Sequence, residues 1–232
     1  MALLGNRLIR DDSYDGVHEL SELGRPYVLA VADGLGGQNA GEIASREVLT
    51  GFREEALGLE AGLTPTTVTL RLSEISGRIQ DELIARGNAN SRHRGMSTTL
   101  TAIVVYESQF FLLHAGDSRC YVLRNGVLQQ ATRDHTLREF SGDPSIPGNI
   151  LVNCFGAEDD FFVDAKQFGS EGDAGDVFLI CSDGLSDMVS DSRMEATLSQ
   201  SPRLEAAGAR LLELAKAGGG RDNITFVIAR VL

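Results

Sequence analysis

Tyr27-Val28-Leu29-Ala30-Val31-Ala32-Asp33-Gly34 is the stretch from which the rest of the chain is read. A continuous apolar run of this length, stopped by Asp-Gly, predicts a strand buried on both faces. Beyond it the period changes. Ala40, Ala44, Val48 and Phe52, then Val68, Leu72, Ile75, Ile79 and Leu83, recur every three or four residues and predict two amphipathic helices. Thr64 and Pro65 suit N-cap and N1 of the second. From Thr99 onward the pattern is of short strands: Leu100 to Tyr106, Phe110 to Ala115, and Cys120 to Arg124, with Asn125-Gly126 as a hairpin turn into Val127 to Ala131. Val177 to Cys181 reads as another buried strand, Leu204 to Lys216 as a helix stopped by Gly218-Gly219-Gly220, and Ile224 to Val231 as a last strand. Strands that lack alternation need apolar cover on both sides, so the pattern predicts sheets covered by helices on their outer faces.

The 232 residues are 42% apolar and 23% charged, as expected of a chain that buries one large core, and no repeat, linker or low-complexity tract divides residues 1–232 into further domains. A net charge of −12 without a basic run argues against nucleic acid and anionic membranes as partners. Cys120, Cys154 and Cys181 are odd in number and lack metal spacing, so they read as core thiols of a reducing compartment. No apolar stretch approaches the about 20 residues of a membrane span, and Met1 to Arg10 is no signal peptide. A cytoplasmic location is expected.

Three apolar runs end in an aspartate beside a glycine, at Asp33-Gly34, Gly116-Asp117 and Asp183-Gly184, and Asp222 lies between a glycine run and the last strand. Singly, each is an ordinary turn. If the strands are neighbours, the four carboxylates converge and need cations to offset their repulsion and desolvation. An all-oxygen set favours Mg²⁺ or Mn²⁺ over Zn²⁺, and the adjacent glycines would let a carbonyl or water approach the ion.

Read together, Asp33-Gly34-Leu35-Gly36-Gly37, Gly95-Met96-Ser97-Thr98-Thr99-Leu100, Gly116-Asp117-Ser118-Arg119, Ser182-Asp183-Gly184-Leu185-Ser186-Asp187 and Gly220-Arg221-Asp222-Asn223-Ile224-Thr225 resemble, in order, the motifs of the metal-dependent protein phosphatase 2C family. The resemblance runs from about Arg7 to the last strand. It implies an α+β fold, a four-layer α-β-β-α sandwich of two mainly antiparallel sheets between helices, with two core Mn²⁺ or Mg²⁺ ions at one edge and a third, weaker one as in bacterial members. It implies that Asp33 bridges the two ions, that the Gly34 carbonyl binds one, that Asp183 and Asp222 bind the other, and that Asp117 with Asp183 holds the third. Arg7 through Asp12 is similar to the family's Arg-x-x-Asn-Glu-Asp segment, which implies Arg7 on the substrate phosphate and Asp11 and Asp12 reaching the ions directly or through water. Two cations about 3.5–4 Å apart acidify a water and offset phosphoryl charge, so no protein nucleophile is needed. The implied function is in-line hydrolysis of phosphoserine and phosphothreonine on proteins, opposing a serine/threonine kinase. A phosphatase-like binding module and a small-molecule phosphoesterase are the alternatives.

The chain departs from the family in places. Arg10 and Asp11 replace Asn and Glu, and little sequence precedes Arg7 to form the expected first strand. Leu35 stands where some relatives have a histidine proposed as general acid. Between Phe140 and Leu151 the flap beside the site is shortened, which predicts a more open edge and weaker discrimination among phosphoproteins. His135 reads as a loop-fixing hydrogen-bond donor, and His18, His93 and His114 as incidental. Ser97, Thr98 and Thr99 read as a buried strand start that supports the metal loops.

Overall fold

The computed structural model describes residues 1–4, 7–9, 26–35, 40–158, 160–168 and 174–232. Its elements are β1 (Ala2–Leu4), β2 (Arg7–Ile9), β3 (Tyr27–Val31), β4 (Gly34–Leu35), α1 (Ala40–Leu57), α2 (Pro65–Ala89), β5 (Ser97–Thr98), β6 (Leu100–Tyr106), β7 (Gln109–Ala115), β8 (Arg119–Arg124), β9 (Val127–Gln130), α3 (Leu137–Ser141), β10 (Asp164–Gln167), β11 (Val177–Cys181), α4 (Asp183–Ser186), α5 (Asp191–Gln200), α6 (Leu204–Ala217) and β12 (Phe226–Arg230).

Two antiparallel sheets carry the molecule, one ordered β10-β7-β6-β3-β1-β2 and the other β12-β11-β8-β9. Strand period separates their faces. Val28, Ala30 and Ala32 enter a core shared with Val48, Phe52, Leu72 and Ile79 of α1 and α2, while Leu29 and Val31 enter a core shared with Phe178 and Ile180 of β11. On the far side, Val177, Leu179 and Cys181 meet Leu185, Met194, Leu198, Leu211 and Leu214 of α4, α5 and α6. Three apolar cores therefore separate four layers, helices on sheet on sheet on helices, as the family resemblance implies. Because the central strands are covered twice, their side chains are apolar at both parities, which is why their sequence shows runs instead of alternation.

Local chemistry places the boundaries. Thr64 accepts from the Thr67 amide and Pro65 opens α2. The β8–β9 hairpin turns at Asn125 (φ 52°) and Gly126 (φ 80°), the left-handed pair of a type I′ turn. The three cysteines are free and buried, and burial pushes the Cys181 thiol up to about 12.

Several elements differ from expectation. A first strand does form before Arg7, since β1 adds antiparallel to β3 with Ala2 opposite Val31; three residues suffice because Leu3 packs into the helix-side core. The strand β10 is polar, Asp164 to Gln167, because it is an edge with little to bury. The helix α5 buries only Met194 and Leu198, too narrow a stripe to stand out in sequence.

Candidate metal centre

Asp33 follows the end of β3, Asp117 lies between β7 and β8, Asp183 opens α4 after β11, and Asp222 precedes β12. Neighbouring strands bring these ends together: β11 pairs with β12 so that Cys181 faces Phe226, and with β8 so that Cys181 faces Arg119. The carboxylates interact accordingly. Burial first, then the Asp183 charge and hydrogen bond, push Asp33 up to about 7, with Asp222 adding to the same shift. Burial first, then Asp183 and Asp134, push Asp117 up to about 7. Asp183 is raised as well, by burial first and then by the charges of Asp222 and Asp187. Four acids from four segments thus make one field.

The glycines beside these acids have a packing task as well. They admit backbone from other segments. A Cβ on Gly34 would lie 2.1 Å from the carbonyl oxygen of Gly41 in α1, and one on Gly184 would lie 2.2 Å from the carbonyl oxygen of Asn223. The second approach is what seats Asp222 beside Asp183.

The loop bearing Asp33 is clamped from both sides. Its amide donates to Thr99 Oγ1 (3.0 Å), and its carbonyl accepts from Thr98 Oγ1 (2.8 Å) and the Thr99 amide (2.9 Å). Thr99 Oγ1 also meets Ser118 Oγ at 2.7 Å, which ties the Asp33 and Asp117 loops together. These residues support the acid-bearing loops, in line with the sequence reading.

His135 fixes a loop as expected, but mainly as an acceptor: its Nδ1 receives the Gly116 amide (3.2 Å) and Asn153 Nδ2 (2.8 Å), while Nε2 lies 3.3 Å from Asp164 Oδ2. His114 is not incidental. It is fully buried against His135, bonded to Thr101 Oγ1 (2.9 Å) and the Arg133 carbonyl (3.0 Å), and burial followed by the nearby His135 lowers it to about 4.

Two contributors escaped the sequence reading. Asp187 lies one helical turn from Asp183, a spacing that puts both on one face, and its charge raises both Asp117 and Asp183. Gln80 of α2 holds the Gly156 amide (2.7 Å) and the Ala157 carbonyl (2.6 Å), which backs the segment paired with Thr98; nothing in an amphipathic helix pattern marks it. Arg7 stands on β2 level with Leu4 and Leu29, about 13 Å of strand short of Asp33. Asp11, Asp12 and His18 lie outside the described residues.

The donor set fits divalent cations. Among the described residues Asp183 Oδ1 is buried without a hydrogen-bond partner, and an orphaned carboxylate oxygen within the field of other carboxylates is a position a hard cation satisfies. Among the described residues no three acids, histidines or cysteines are closed into a finished ligand set. Asp33 and Asp183 bond to each other, and Asp222 accepts from the Asn223 amide at 2.7 Å.

A family model for protein phosphatase 2C matches residues 4–217. The serine/threonine protein phosphatase PstP of Mycobacterium tuberculosis is 36% identical over 97% of this chain, which spans 43% of that relative's length. The serine/threonine phosphatase stp of Listeria monocytogenes is 32% identical over 87% of this chain and 83% of its own. A crystal structure of the PstP catalytic domain in complex with two manganese ions superposes with a TM-score of 0.75 at 33% identity, covering 100% of this chain and 97% of that one.

Proposed function

The chain belongs to the protein phosphatase 2C family, and from that premise we propose that it is a Mn²⁺- or Mg²⁺-dependent phosphatase acting on phosphoserine and phosphothreonine of proteins. The orphaned, buried Asp183 Oδ1 among raised carboxyls carries the reading: among the described residues the fold gathers more negative charge than the nearby N-terminal ammonium offsets. Asp33, the Gly34 carbonyl, Asp183 and Asp222 would hold two cations, and Asp117 with Asp183 a third. When bound, such ions supply an acidified water and offset charge on the phosphoryl oxygens.

The rest of the site prepares that arrangement. Thr98 and Thr99 hold the Asp33 peptide at fixed height, which supports a role for its side chain and the adjoining Gly34 carbonyl at one edge. Exposed Gly34 and Asp222 leave that edge open to a protein-sized substrate. Asp11 and Asp12 are proposed to complete the ligands from the segment after β2, whose Ile9 lies level with Val31.

We further propose that residues 1–232 act as one catalytic domain with a short flap near 140–151, in a cytoplasmic signalling pair with a serine/threonine kinase that installs the phosphate. Support comes from the order of pairing, in which β1 and β2 extend one sheet and β12 the other, and from three cysteines held as free thiols. Among the described residues no helix is long and apolar enough to cross a membrane.

Hydrolysis of a phosphothreonine peptide with Mn²⁺, with Mg²⁺ and with chelator, beside Asp183→Asn, tests the proposal. Activity should need the metal and fall by more than about 100-fold in the variant, since losing even an outer partner of a metal ligand costs 10–100-fold. Metal-independent turnover, or full activity in the variant, would overturn it.

A further inference from the structure

From Leu83 to Tyr106 the chain contains no aspartate or glutamate, although it carries 33 of them in all. Within that span lies Asn90-Ser91-Arg92-His93-Arg94-Gly95, the loop that leaves α2 and enters β5. Arg92 and Arg94 are exposed. Neither guanidinium has an acidic partner among the described residues, whereas Arg78 and Arg86 on the preceding helix are paired with Glu55 and Glu47. In a protein of net charge −12, two unspent positive charges side by side are the exception.

The loop is also held in place. Asn90 Oδ1 accepts from the Arg92 amide (3.1 Å) and the Asn90 carbonyl from the His93 amide (2.8 Å). The His93 carbonyl accepts from the Met96 amide (3.0 Å), a turn that keeps the two Cα atoms within about 7 Å. Met96 is buried in the helix-side core, and a Cβ on Gly87 would already touch the His93 carbonyl at 3.3 Å. The arginines are therefore presented by a fixed turn, and less ordering entropy is spent when they bind.

That turn borders the candidate metal centre. Ser97 pairs with Leu35 and Thr98 with Gly34, and Arg94 is three residues from Ser97, at most about 11 Å of chain. An extended peptide advances about 3.3 Å per residue. A substrate with its phosphorylated residue at the carboxylate edge would thus bring residues three to six positions away over the arginines.

We propose that Arg92 and Arg94 form a rim that selects phosphoproteins with an anionic group, a carboxylate or a second phosphate, three to six residues from the residue being dephosphorylated. This rests on the function proposed above and names its preferred substrates. The guanidinium fork suits both carboxylate and phosphate oxygens. It also offsets a handicap, because an acidic protein otherwise repels acidic substrates.

The test uses phosphothreonine peptides in Mn²⁺, identical except that the flanking positions hold Gln, Glu or a second phosphothreonine, together with p-nitrophenyl phosphate, which cannot reach the rim. Two exposed ion pairs predict a kcat/KM about 3- to 10-fold higher for Glu than for Gln. The advantage should shrink at 0.5 M NaCl and vanish in Arg92→Gln/Arg94→Gln and in Arg92→Glu/Arg94→Glu. Both variants should keep wild-type turnover of p-nitrophenyl phosphate. A gain with Glu and phosphothreonine alike assigns the rim to anions in general, and a gain with the second phosphate alone assigns it to phosphate; either supports the proposal. Equal kcat/KM on all peptides, or a preference that survives in the variants, overturns it while leaving the phosphatase reading intact. Turnover of p-nitrophenyl phosphate with none of any phosphopeptide would overturn both.

Discussion

A group of half-buried carboxylates and a group of buried polar side chains lie next to each other where the strands end, and their electrostatics are opposite. In the first, Asp33, Asp117 and Asp183 press like charges together, and an oxygen of Asp183 has no partner. In the second, Thr99, Ser118, Thr101, His114, His135 and Asn153 are each bonded to one another or to backbone, and His114 stays neutral because burial lowers it to about 4. The second group is complete without any ligand, so it stabilises the fold and sets the height of the loops. The first is complete only with added positive charge. Unmet electrostatic demand, more than burial of polar groups as such, separates the candidate site from its scaffold.

The largest expected effect comes from breaking the approach that builds the first group. Gly184→Ala would put a methyl 2.2 Å from the Asn223 carbonyl oxygen, and the forced backbone shift should cost about 3 kcal/mol in urea unfolding. It should also weaken Mn²⁺ binding by moving Asp222 off Asp183. Stability within 1 kcal/mol of wild type, roughly the size of a tolerated volume-conserving swap, would mean that the close packing is not needed.

A smaller change should sharpen the contrast by its sign. Because the folded state holds the Asp33 proton up to about 7 while the unfolded chain releases it near the ordinary value, the folded state binds more protons between those limits. In chelator, stability should therefore fall as pH rises through that window. Asp33→Asn should flatten the dependence and raise metal-free stability at pH 8 by on the order of 2 kcal/mol, while Mn²⁺ should stabilise wild type more than the variant. A metal-free variant less stable than wild type at pH 8 would contradict the account of the cluster.

The satisfied group should respond in the opposite direction. Thr99→Val keeps the shape but strands the Asp33 amide and the Ser118 hydroxyl, which should destabilise by about 1.5 kcal/mol with or without metal. A neutral result by thermal unfolding would show that water replaces Thr99 Oγ1.

Much of this was legible in the chain. The strands Leu100–Tyr106 and Val177–Cys181 match the sequence reading residue for residue, because a strand covered on both faces is apolar along nearly all its length. The capped start of α2 at Thr64 and Pro65 was legible because capping chemistry is local. So was the convergence of Asp33, Asp117, Asp183 and Asp222, whose recurrence beside glycine and order along the chain are properties of the polymer alone.

Tertiary structure decided the rest. Gly184 reads as a turn residue until Asn223, 39 positions later in the numbering, is found against it. Gln80, His114 and Asn153 carry no mark in sequence because their partners are side-chain and backbone atoms from other segments. The far-end position of Arg7 follows from strand register, and the isolation of Arg92 and Arg94 from which acids lie within reach. Local propensity and hydrophobic period act along the chain and can be read from it; hydrogen-bond satisfaction and charge balance depend on neighbours that only folding supplies.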